Sequence, residues 1–328
     1  MMTRRLAAAL ALIAAAGAAP AGVPDAVEDH VLPGMDRFAE ASAALSETAL
    51  ADCRAAALRP AYHAAFDAWL GVGHLRFGPF EEDGRALAIA FWPDTRGMVA
   101  RSTDALIADA DGAVDDPQAF AEVSVAARGL FALERLLFEP GMADYVENDY
   151  RCALARAISV DLARMADELA QDWRADHAPA MIEADNATYR APREAQQALY
   201  TALTTGLAFN ADQRLGQPLG SFDRPRPARA EARYAERSLR NVKLSLVALR
   251  DLARALADTS IPQTEAAFET ALDATTALDA VFAGVEDPQE RLRIEILQQR
   301  ITAISGPVAN EIGAPLGISA GFNATDGD

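Results

Sequence analysis

The side chain that most invites a chemical question is Glu134, in the stretch ARGLFALERLLFEPG from Ala127 to Gly141. Leu130, Phe131, Leu133, Leu136, Leu137 and Phe138 surround it. Apolar residues therefore fall on every face of the helix this stretch predicts, which encloses that helix among others. An ionised carboxylate is costly to bury unless something pairs with it. A partner from another segment is expected, with Arg76, Arg96, Arg128 and His74 as candidates.

Histidines are scarce: His30, His63, His74 and His177. His63 and Asp67 stand at i, i+4 on one helix face, with His74 eleven residues beyond His63, a spacing that could present metal ligands. Gly71 and Gly73 weaken the helix between them, and packing is the expected role. A second constellation is basic. RPRPARAEARYAERSLR, from Arg224 to Arg240, holds six arginines against two glutamates, in a chain of formal charge −18. The spacing predicts that Arg229, Arg233, Arg237 and Arg240 line one helix face. That face is either a solvated ridge with internal pairs such as Glu236–Arg240 or a site for an anion, which the planar guanidinium suits. AFWPDTRG, from Ala90 to Gly97, puts Trp92, Pro93, Asp94 and Arg96 at a predicted helix start. GISAG, from Gly317 to Gly321, matches the G-x-S-x-G nucleophile elbow. No strand precedes it and the last histidine is His177, so a surface turn is expected. No CxxC, HExxH, P-loop or EF-hand pattern is present.

The elements that must position these residues read as helices. Before them, Met1 to Arg5 is a short basic start, Leu6 to Ala16 an apolar run too short to span a bilayer, and Ala19-Pro20-Ala21 an A-x-A cleavage site. Residues 1–21 are thus expected to be a signal peptide, and the mature chain an exported, soluble protein. Loss of Arg4 and Arg5 with that leader takes the formal charge from −18 to −20. Such acidity argues against nucleic-acid binding, and charged residues interrupt every later apolar run, so no transmembrane segment is expected. In an oxidising compartment Cys53 and Cys152 are most simply a disulfide, two buried thiols being the alternative.

Alanine is abundant and aromatics make up only 7%, which favours helices of small and straight-chain residues. Helices are predicted over 35–58, from Pro60 to about Leu75, and over 93–110, 117–138, 144–185, 193–214, 228–257, 262–284 and 287–304. NATYRAPRE, from Asn186 to Glu194, breaks the pattern and divides residues 22–188 from 189–328. The expected fold is all-α, two packed antiparallel helical bundles, the second with an irregular tail.

WLGVGHLRFGP, FWPDTRG, GLFALERLLF, YRC, RLGQPL and the terminal GFNATDGD occur in order along the chain. Together they resemble the imelysin family of exported bacterial proteins, over nearly the whole mature sequence. The resemblance implies two helical bundles related by a pseudo-repeat, residence in the periplasm, and a link to iron uptake. The family is also catalogued among metallopeptidases. Its signature is G-x-H-x-x-E on a buried helix, read as a metal site. Gly129 and Glu134 match that signature, whereas Phe131 stands at the histidine position and cannot ligate a metal.

A site built from Gly129, Phe131, Glu134, His74, Arg76, Trp92, Asp94 and Arg96 is therefore expected to bind rather than catalyse. Glu134 with His74 is the remaining candidate pair for iron or zinc. The resemblance implies a non-catalytic binding or accessory role in iron or haem acquisition, with an envelope uptake component as partner. A metal-dependent peptidase and a structural partner in an envelope complex are the alternatives.

Overall fold

A computed structural model describes residues 22–318 other than 277. The expected signal peptide and the GFNATDGD stretch lie outside the described residues, as does Ser319 of GISAG. The longer helices are α1 (Leu32–Ala51), α2 (Ala55–Leu70), α3 (Met98–Asp109), α4 (Gly129–Phe138), α5 (Tyr150–Asp172), α6 (Pro192–Ala208), α7 (Ser238–Leu256), α8 (Pro262–Asp273) and α9 (Pro288–Ala303). Among the described residues there is no strand, only an isolated bridge between Ser221 and Arg224. The protein is all-α, as its composition predicts.

Local chemistry places most helix starts. Asp149 opens α5 by accepting the Arg151 amide, and Asp287 opens α9 by accepting those of Gln289 and Glu290. Proline begins α6, α8 and α9, where its missing N–H costs nothing. Pro60 departs from expectation, since α2 starts at Ala55 and carries the proline inside it. Asp52 sets that earlier start by accepting the Arg54 amide just upstream.

The predicted helix over 117–138 is broken into Pro117–Ala121, a short turn at Val125–Ala127, and α4. Gly129 explains the break. Its φ is +66°, and a Cβ there would sit 2.2 Å from the Ala88 carbonyl oxygen and 2.3 Å from that of Ile89. The glycine thus lets the start of α4 press against the end of the short helix Arg85–Ile89.

Helix α1 packs on α2 and α5, α4 on α2 and α5, α6 on α7, and α8 on both α7 and α9. Contacts of α7 with α2 and with the π-helical turn Ala26–Val31 join the N- and C-terminal parts of the chain. One continuous apolar core runs from Val23 to Ile318. Cys53 and Cys152 are bonded across a separation of 99 residues, tying the α1–α2 connection to the start of α5. Among the described residues no helix is long and apolar enough to cross a membrane.

Candidate functional site

A cavity of about 280 Å³ opens over α4. Phe131 and Glu134 come to it from α4, Trp92, Pro93 and Asp94 from the segment before α3, and Arg229, Arg233 and Tyr234 from the segment before α7. Phe131 and Glu134 share a face because they are three residues apart on a helix. The Trp92 and Phe131 rings stand 17° from parallel with centroids 6.5 Å apart, and Phe66 meets Phe131 edge-on from behind.

Glu134 is 6% exposed. Its partners are not the arginines or the histidine expected. Oε1 accepts the backbone N–H of Tyr234 at 2.9 Å and of Ala235 at 3.2 Å. The backbone turns between Glu231 and Arg237, with Ala232 and Glu236 at positive φ, and so presents two successive amides to one oxygen. Burial pushes the Glu134 carboxyl up from an ordinary 4.5 to about 7, while the two amide bonds and Arg233 pull it down.

The four expected partners lie elsewhere. Arg128 is buried against Asp161, with Nε to Oδ2 at 2.7 Å and Nη2 to Oδ1 at 3.0 Å. Arg96 is exposed and lies outside the cavity wall. His74 and Arg76 line a second pocket of about 100 Å³ with Phe209, Arg214 and Ser245. There His74 Nε2 is 3.0 Å from Nε2 of His30. Burial holds His74 well below its usual range and lowers His30 to about 4, so both rings are neutral at pH 7 and one donates to the other. Phe209 of this pocket meets Trp92 of the first edge-on.

The arginine ridge also needs correction. Helix α7 begins at Ser238, so Arg229 and Arg233 are not on it. Glu231 draws the preceding chain away, accepting Arg214 Nε at 2.7 Å and Asn241 Nδ2 at 3.0 Å on the same oxygen. Arg237 is buried and donates to His63 Nδ1 and to Asp67, which Arg240 also engages. The His63–Asp67 face is thus an arginine clamp. Arg233 instead lies over its neighbour's ring, 3.9 Å from the Tyr234 centroid, and donates to the Tyr234 hydroxyl.

Three other acids and bases of the cavity are already engaged. Asp94 accepts the Met98 and Val99 amides at the start of α3, each at 2.8 Å. Glu139 accepts Arg135 Nε at 2.7 Å and the Tyr234 hydroxyl at 3.1 Å. Arg135 also reaches Asp104. Sequence reasoning missed Tyr234, Glu139 and the cavity role of Arg229.

The imelysin family model (Peptidase_M75) matches residues 31–308. The chain belongs to the imelysin family. Its structure is similar to that of an imelysin-like protein from Psychrobacter arcticum 273-4, with a TM-score of 0.73 at 19% identity, over 92% of this chain and 96% of that one. At that identity the likeness establishes the imelysin fold alone. No curated protein matches the chain.

The family's catalogued metallopeptidase character invites a metal at this cavity, and the residues do not fit one. Phe131 fills the imidazole position, Asp94 and Glu139 are spent on hydrogen bonds, and His74 is held by His30. Among the described residues no three His, Cys, Asp or Glu side chains converge as a ligand set.

Proposed function

We propose that this imelysin-family chain is an exported, non-catalytic binding component of iron or haem acquisition, and that its ligand enters the cavity over Glu134. The observation that carries the reading is Phe131 in the histidine position of the signature, its ring forming a wall with Trp92. An aromatic wall beside a fixed carboxylate suits retention of a ligand, whereas metal-assisted hydrolysis needs a donor set and an activated water. The iron or haem assignment rests on the family resemblance. So do residence in the periplasm and an envelope uptake component as partner, whereas the division into bundles near residue 188 rests on the break in helical pattern from Asn186 to Glu194. A cavity of about 280 Å³ lies just under the usual range for ligand pockets, which favours a small iron chelate over a porphyrin.

The test is calorimetry of the metal-stripped mature protein and of Glu134→Ala with ferrous, ferric and zinc ions, run beside a peptide-cleavage assay. The expected result is no one-to-one uptake of a bare ion that depends on Glu134, and no chelator-sensitive cleavage. Stoichiometric uptake lost in the variant, together with such cleavage, would replace this reading with the metal-dependent peptidase.

A further inference from the structure

The cavity wall carries three carboxylates and three arginines, but they are not paired one to one. Of its carboxylates, Asp94 caps α3, Glu139 serves Arg135 and Tyr234, and Glu134 is held by two backbone amides. Arg135 is satisfied by Glu139 and Asp104. Arg229 and Arg233 remain. Both are half-buried on the cavity wall, and among the described residues neither forms an ion pair with a carboxylate. Arg229 reaches only the Gln217 side-chain oxygen, at 3.4 Å, and Arg233 only Tyr234.

Arg156, Arg226 and Arg250 are likewise half-buried without a carboxylate partner among the described residues, but Arg229 and Arg233 share one cavity wall. The fully buried arginines, by contrast, are each claimed: Arg128 by Asp161, Arg214 by Glu231, Arg237 by Asp67, Arg291 by Glu295. Two guanidinium groups held open in a concave site, with every nearby carboxylate engaged, make a receptor for a ligand's anion. One part of the wall is apolar, with Trp92 and Phe131 nearly parallel and Pro93 beside them.

Building on the reading of this cavity as a ligand site, we propose that it takes a small carboxylate with a flat apolar body. The anionic end lies on Arg229 and Arg233, and the body lies against Trp92 and Phe131. Guanidinium groups offer a carboxylate paired N–H donors in a planar fork, and the aromatic faces cover an apolar ring without asking for hydrogen bonds. A neutral ligand of the same shape leaves both arginines unpaired, so the charge decides selectivity.

The experiment is calorimetry of the mature, disulfide-bonded chain with 2-naphthoate, 2-naphthamide and acetate, repeated on the Arg229→Gln/Arg233→Gln double variant. Saturable one-to-one binding of the naphthoate is expected, with the amide and acetate each weaker by at least about tenfold and a similar loss in the variant. Neither arginine has a hydrogen-bonded carboxylate to lose, and Arg233 acts on Glu134 only through space, so the variant should unfold close to the wild-type midpoint. Should it fail to fold, the acid–amide comparison on the wild-type protein decides by itself. Equal affinity for acid and amide would overturn the proposal while leaving the cavity a ligand site. Failure of every probe to bind would also overturn it, and the metal titration and cleavage assay above would then judge the underlying reading separately.

Discussion

Arg233 and Arg237 lie four residues apart in one basic run, and the fold uses them in opposite ways. Arg237 is 1% exposed, lies over the Phe66 ring at 4.7 Å, and gives its donors to His63, Asp67 and Asn241. Arg233 is half-buried at a cavity and touches only the tyrosine beside it. A saturated buried charge holds elements together, here α2 against the start of α7. An unsaturated one at a concave surface has donors left for something else. Type and spacing are alike in the two cases; the surrounding acceptors differ.

The largest effect should come from the saturated member. Arg237→Ala removes a buried donor from His63, Asn241 and Asp67 at a packed junction, leaving Asp67 to Arg240 alone. It is expected to cost about 3 kcal/mol, read from urea unfolding. A loss below about 1 kcal/mol would mean that the clamp is not structural, and the comparison would collapse.

Glu134 sharpens the contrast through pH. Its folded value, about 7, lies above the ordinary 4.5. The folded state therefore binds the extra proton between those values, and stability falls as pH rises from 4.5 to 7. Glu134→Gln should remove that slope, leaving the variant more stable relative to wild type at pH 7.5 than at pH 4.5, by about 3 kcal/mol at most. The difference between the two proteins is the quantity to follow. His30 and His177, each lowered to about 4 by burial, give the opposite slope in both, losing stability as pH falls below 6.5. A difference independent of pH would show that the carboxyl stays ionised throughout.

Gly129→Ala should cost more than about 1 kcal/mol, because the residue has positive φ and its new methyl meets the Ala88 and Ile89 carbonyls. Displacing α4 in this way should also weaken 2-naphthoate binding; unchanged stability and binding would uncouple the helix start from the cavity. The smallest effect belongs to the unsaturated arginine. Arg233→Gln is expected within about 0.5 kcal/mol of wild type in urea, with its consequence confined to ligand binding. A larger loss would make Arg233 structural after all.

Some of this was legible in the residues. The apolar residues on every side of Glu134 predicted a buried carboxylate, and an even pair of cysteines predicted the bond that ties α5 to the α1–α2 connection. Trp92, Phe131 and Glu134 were named together only through the family stretches that contain them. The error over Glu134's partner has a physical source. Candidate side chains can be picked from a sequence by charge, but every residue except proline carries a backbone N–H. Which two amides turn toward an oxygen depends on the path of the chain. The arginine ridge failed for a related reason. Spacing assumes a continuous helix, and the buried Arg214–Glu231 pair turns the chain away until Ser238.

What the sequence determined by itself is the class of the fold, the burial of Glu134 and the absence of an imidazole three residues before it. These follow from composition, periodicity and residue identity, which are local properties. Only the tertiary structure decided which charges are satisfied. Satisfaction depends on acceptors up to 174 residues away, as between Arg237 and His63, and no local pattern of charge or spacing encodes which distant group arrives.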